Sequence, residues 1–132
     1  MNDYAVQGEG RNTGHDGVFK GLTVVAFGGA VVGPLTMKVF ADHGATVIRT
    51  ESTKRPCTLR TSGPYKDGQP GLNRAGYFSF YSGNILSMGL NMTNPKAAGI
   101  AKRLVSKADV VMVSGASLPR WWSRASRNRP VS

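Results

Sequence analysis

The chain has 132 residues, enough for one domain with its own core or for a piece of a larger one. Its 40% hydrophobic content is that of a globular protein, and no apolar run approaches the ~18 residues that a membrane-spanning helix needs. The formal net charge of +10 points to an anionic partner such as nucleic acid, an acidic membrane or a phosphorylated ligand.

That charge is uneven. Residues 114–132 carry four Arg and no acid, so the tail supplies two-fifths of the net charge. The single cysteine, Cys57, cannot form an internal disulfide, which suits a cytoplasmic chain. It has no His near it in sequence to act as a base, so a nucleophilic role is not expected. The opening "MNDYAVQGEGRNTGHDG" lacks the apolar core of a signal peptide. Residues 1–18 read as a flexible leader.

"LTVVAF", Leu22 to Phe27, is a short β-branched run ending at Gly28-Gly29, the pattern of a buried strand. "GPLTMKVFADHG" follows as a helix. Pro34 suits its first turn, Leu35, Val39 and Phe40 are expected on one apolar face, and Gly44 is its stop. "ATVIRT", Ala45 to Thr50, is the next strand, so residues 22–50 form a βαβ unit. Residues 51–74, rich in Pro and Gly, read as a long irregular loop, a kind that is usually functional or mobile.

"AGYFSFYSG" is a short helix with Tyr77, Phe78 and Tyr81 near one face, and "ILSMGLNM" is a strand. Asn94 and Pro95 then open an amphipathic helix, with Ala97, Ile100, Ala101, Leu104 and Val105 inward. "DVVMV", Asp109 to Val113, is a last buried strand. The order β-α-β, loop, short α, β-α-β describes half or less of a doubly wound α/β domain. A sheet with so few covering helices leaves an apolar face and an open edge exposed.

Three stretches carry chemistry. "FGGAVVGP" lies between a strand and a helix, where glycines and free N–H groups can receive a phosphate. Its spacing is not G-x-G-x-x-G, and a tight packing turn explains it equally. Glu51 follows the second strand, where an acid can bond a ribose hydroxyl or simply form an ion pair. Lys54, Arg55, Arg60, Lys66 and Arg74 can hold phosphates by charge, or form a solvated loop, which these residues alone favour. No metal-ligand spacing appears, so no metal is expected, and two scattered His give no Ser-His-Asp arrangement.

Taken together, "GLTVVAFGGAVVGPLTMKVFADHGATVIRTES" and "GYFSFYSGNILSMGLNMTNPKAAGIAKRLVSKADVVM" resemble the N-terminal part of the family III CoA-transferases (the CaiB/BaiF family). The resemblance covers residues 19–113. It implies an incomplete Rossmann-like parallel sheet, the N-terminal part of a large domain whose complete members are about three times longer and form interlocked homodimers. It implies coenzyme A, bound as acyl-CoA, and a carboxylic acid as substrates. By resemblance, CoA would be touched by Ala30 and Val31 after the first strand, Ser52 after the second, and Leu90, Asn91, Met92 and Thr93 after the "ILSMG" strand.

The sequence departs from the family in three places. Ile85 stands where relatives usually carry a basic residue after the equivalent of Asn84. "VSGASLPRWW" replaces an acid-Asn-Phe stretch followed by Pro-Gly. No residue matches the family's catalytic aspartate, so no catalytic residue is assigned and the chain is expected to be inactive alone. The family includes acyl-CoA racemases, and the fragment does not separate the two branches.

Residues 114–132 read as a non-family basic tail. A nucleic-acid tail would use its Arg for phosphates and Trp121-Trp122 for stacking. A membrane-surface tail would need an amphipathic face. A frameshift explains the same letters, because the TGG codons of Trp121-Trp122 read one base out of step give Val-Val or Gly-Gly. The frameshift is the favoured reading, and neither nucleic acid nor membrane is favoured as a partner. The alternatives are a nucleic-acid-binding module built on the tail, or an assembly fragment that docks on a full-length transferase.

Overall fold

The structure is a computed structural model, and it describes residues 17–28 and 32–114. The leader up to residue 16, residues 29–31 and the tail from residue 115 lie outside the described residues. Four strands form one all-parallel sheet: β1 (Thr23–Phe27), β2 (Thr46–Glu51), β3 (Ile85–Gly89) and β4 (Val110–Val113). Their spatial order is β3-β2-β1-β4. Three helices connect them: α1 (Val32–Asp42), α2 (Gly76–Tyr81) and α3 (Ala97–Val105). The expected α/β order is therefore the observed one.

The two faces of the sheet are covered by different helices. Strand residues alternate between faces, so Val24, Ala26 and Val47 point one way and pack with Met37 and Ala41 of α1. Val25 and Phe27 point the other way and pack with Ala97 and Ala101 of α3. Ile48, Ile100, Leu104, Val105, Val111 and Val113 extend this second core, which bears out the inward face expected for α3. Central strands covered on both faces need apolar residues throughout, which is why "TVVAF" shows no polar alternation.

The expected face of α1 needs correction. Leu35 and Val39 are each 48% exposed, and the helix instead buries Gly33, Pro34, Met37 and Ala41, with Phe40 partly covered. Small residues let α1 lie close to the sheet, and Met37 fills the remaining gap. The end of α1 follows expectation. Gly44 takes φ 99°, its N–H donates to Ala41 O at 3.2 Å, and Ala45 N–H donates to Phe40 O at 3.0 Å. This is a Schellman stop, and Phe40 and Ala45 both belong to the same core.

α3 starts later than Asn94 and Pro95 suggest, although Asn94 still caps. Its Oδ1 accepts from Lys96 N–H at 2.9 Å and its carbonyl accepts from Ala97 N–H at 2.9 Å. β4 is the edge strand expected to be poorly covered, and all four of its residues are half-buried. Its ladder continues one step further, with Ser114 N–H donating to Phe27 O at 3.0 Å.

Candidate functional site at the carboxyl edge of the sheet

All four strands run the same way, so the segments that follow them collect along one edge. In such sheets ligands bind outside the carboxyl ends, where the strand order reverses. The reversal here lies between β1 and β4, because β2 and β3 were added on one side of β1 and β4 on the other. Gly28 closes β1 at this point with φ 103°, and a Cβ on it would lie 2.0 Å from Ser114 O. Only glycine permits this approach.

The sites expected from the resemblance fall as follows. Ala30 and Val31 lie outside the described residues; Gly28 and Val32, which flank them, sit at the carboxyl end of β1 and the start of α1. Ser52 follows β2 and closes a turn with Arg55, with Arg55 N–H donating to Ser52 O at 3.1 Å and to Ser52 Oγ at 3.2 Å. Leu90 follows β3 beside it, and its N–H donates to Glu51 O at 2.8 Å. The structure thus brings Ser52 and the 90–93 segment together.

Their side chains differ in availability. Leu90 is buried in the second core, so it can offer a ligand little beyond its carbonyl. Met92 and Thr93 are exposed and Asn91 is half-buried. Asn91 Oδ1 accepts from Thr93 N–H at 3.2 Å and from Thr93 Oγ1 at 2.8 Å, which fixes this turn.

Glu51 forms ion pairs with neighbouring arginines. Arg60 Nε and Nη2 donate to its two oxygens at 2.8 and 2.7 Å, a bidentate pair. Ser87 Oγ donates to the same carboxylate, and Arg49 Nη2 lies 3.5 Å away. Burial pushes the Glu51 carboxyl up, but the hydrogen bonds from Arg60 and Ser87 and the charges of Arg49 and Arg60 outweigh it and hold it down at about 2.

Arg49 and Arg60 complete this cluster, and both lie over the Phe78 ring. Arg60 stacks over the Phe78 ring at 3.5 Å from its centroid, and Arg49 lies 5.2 Å from it. Arg49 is fully buried, and its Nη1 donates to Ser82 Oγ at 3.1 Å. Arg60 Nη1 reaches Leu72 O at 3.2 Å and also Asn73 Oδ1. Arg74 ties the far part of the loop, donating to Gln69 O, Lys66 O and Asp67 Oδ2 at 3.1, 2.9 and 3.0 Å.

The loop's basic residues are therefore not one solvated set. Arg60 and Arg74 are internal fasteners. Sequence reading missed Arg49, although a cation inside the strand "TVIRTE", two positions before Glu51, was a signal of a buried ion pair. Among the described residues no group of three or more His, Cys, Asp and Glu side chains gathers as a metal site, and no helix is long and apolar enough to cross a membrane.

The comparisons with known proteins agree with this geometry. The model of CoA-transferase family III matches residues 19–118, three-quarters of the chain. The chain belongs to CoA-transferase family III. It is 31% identical over 96 residues to a protein named "Probable CoA-transferase" from Mycobacterium tuberculosis, covering 73% of this chain and 11% of that protein. It is 31% identical over 98 residues to the bile acid CoA-transferase BaiK of Clostridium scindens, covering 74% of this chain and 20% of the relative.

A crystal structure of a CAIB/BAIF family protein from Brucella suis superposes with a TM-score of 0.62 at 29% identity, over 74% of this chain and 25% of that one. The chain thus spans a quarter or less of the length of these family III relatives.

Ile85, which the resemblance marks as a departure, has a structural role. It opens β3 and packs against the α1-side core. Asn84 itself takes φ 60° and donates to Asp42 Oδ1 at 3.2 Å. The family match runs five residues beyond Val113, into the stretch "SGASL", and the rest of the basic tail lies outside both the match and the described residues.

Proposed function

We propose that this chain is the N-terminal segment of an enzyme that moves CoA between carboxylic acids, and that it supplies part of the CoA-binding surface without the nucleophile. Its ligands are acyl-CoA and a carboxylic acid, its setting is the cytoplasm, and a second copy joins it in the interlocked dimer of the complete protein. This reading favours neither nucleic acid nor a membrane as a partner, and it needs no metal. The observation that carries it is the gathering of Ser52 and Asn91–Thr93 at the carboxyl edge of a β3-β2-β1-β4 sheet in a chain of this family.

The residues present suit a CoA-sized ligand. Asn91, Met92 and Thr93 offer polar and apolar contact on a turn held by its own hydrogen bonds. The described carboxylates support the absence of a nucleophile among them. Asp42 accepts from Lys38 and Asn84, which holds it below its ordinary range, chiefly through Lys38. Glu51 is held by Arg60, Asp67 by Arg74, and Asp109 accepts from Thr23 N–H at 2.8 Å. Each of these carboxylates has a partner of its own within the fold, which supports the reading.

The test is equilibrium dialysis with CoA and an acyl-CoA:carboxylate exchange assay, both on the purified 132-residue chain. Binding without exchange is the expected result. Turnover would overturn the missing-nucleophile reading, and absence of CoA binding would overturn the binding-surface reading.

A further inference from the structure

We infer that Glu51 is a positioning residue: its carboxylate couples closure of the 52–75 loop to ligand binding at the carboxyl edge, without touching the ligand. The inference deepens the CoA reading and rests on it. Glu51 ends β2, and its main chain and side chain reach different segments. Its carbonyl accepts from Leu90 N–H at 2.8 Å, which anchors the start of the 90–93 segment. Its carboxylate accepts from Ser87 Oγ of β3 and, at 2.8 and 2.7 Å, from Arg60 Nε and Nη2 of the loop. Cys57 N–H donates to the same carboxylate at 3.4 Å. One residue therefore ties the loop to β3 and to the segment that follows it.

Stability alone does not account for a charge at this place. The Glu51 side chain is 12% exposed, and an ion pair so far removed from water roughly breaks even against apolar packing. What the pair adds is geometry, because the bidentate fork admits one orientation of Arg60. The Arg60 guanidinium also stacks on Phe78, so α2 is held by the same contact. With the pair broken, the loop keeps its Arg74 fastening at the far end and loses the one at the sheet. A ligand that needs Ser52 and the 90–93 segment at a fixed separation binds the closed form better. By linkage it then favours closure by the same factor.

The chain carries its own reporter of closure. Cys57 is the single cysteine, it is 3% exposed, and Arg49 Nη1 lies 3.9 Å from its sulfur. Opening the loop at the sheet end uncovers this thiol to an alkylating reagent.

The experiment uses the full chain and acetyl-CoA, whose own sulfur is acylated. Equilibrium dialysis gives the affinity, and mass spectrometry gives the rate of Cys57 alkylation by iodoacetamide with and without saturating acetyl-CoA. E51Q, S87A and R74Q are compared with the native chain, and circular dichroism checks that each folds. E51Q is expected to weaken binding about fivefold or more and to speed alkylation by a similar factor. Acetyl-CoA is expected to slow alkylation of the native chain about fivefold and to give no protection in E51Q. A purely stabilising Glu51 would leave that protection in place. R74Q cuts only the far fastening and is expected to bind as the native chain does. S87A keeps the ion pair and removes one donor, so it is the milder variant should E51Q not fold, with about twofold weakening expected. Native-like affinity in E51Q (or in S87A, if E51Q does not fold), protection that persists in E51Q, or an equal loss in R74Q overturns the inference and leaves the CoA reading standing. A native chain that does not bind acetyl-CoA overturns both.

Discussion

The sheet with its two covering helices and the connection between residues 52 and 75 are held by different forces. The sheet is held by apolar burial on both faces, with Val24, Val25, Val47, Met37 and Ala101 almost fully removed from water. The connection has few buried apolar side chains, Cys57, Leu59 and Ala75, and is fastened by Arg49, Glu51, Arg60 and Phe78 at one end and by Arg74 at the other. Burial is non-directional and tolerates rearrangement; the bidentate pair fixes one geometry. A long loop beside a ligand edge gains a defined shape from the second force without a core of its own.

The largest expected effect breaks the apolar side. Met37→Ala removes a side chain that is 1% exposed, and should cost about 3 kcal/mol in a denaturant melt. A cost below about 1 kcal/mol would mean that α1 does not seat on the sheet through this residue.

Breaking the polar side should cost less and act locally. Glu51→Gln leaves Arg49 and Arg60 without their carboxylate, at about 2 kcal/mol, below the full cost of breaking a buried pair because Arg60 and the side chain at position 51 keep some contact with water. Hydrogen exchange should then rise in 52–75 ahead of the sheet. The same latch responds to acid. Glu51 titrates at about 2 instead of its ordinary 4.5, so its stabilisation is complete above pH 4.5 and is lost as pH falls towards 2. Pepsin cleavage within 52–75 should increase over that window in the native chain and be independent of it in Glu51→Gln. Uniform loosening of sheet and loop together would erase the distinction between the two regions.

The smallest effect concerns the outer face of α1. Leu35→Gln and Val39→Gln should each change stability by no more than about 0.5 kcal/mol, since both side chains are half exposed. A loss equal to that of Met37→Ala would restore the face expected from the sequence.

Within the candidate site, legibility follows the range of the interactions. Gly44, Asn94 and the inward face of α3 were readable because capping and helical periodicity involve residues three to five apart. The positions Ser52 and Leu90–Thr93 came from resemblance to the family, and their adjacency follows from the β2–β3 register, in which Glu51 pairs with Gly89. The burial of Leu90 was not legible, because the α3 side chains that cover it come from the next element.

By itself the sequence determined the order of strands and helices, the glycine stop of α1 and membership of CoA-transferase family III, since each rests on local pattern or on motif order along the chain. The tertiary structure decided which side of α1 meets the sheet, because that depends on the closeness of approach that Gly33, Pro34 and Ala41 allow and not on apolar content. It also decided the role of Glu51. Its partners Arg60 and Ser87 lie 9 and 36 positions away, and only the parallel pairing of β2 with β3 and the return of the loop bring them to one carboxylate.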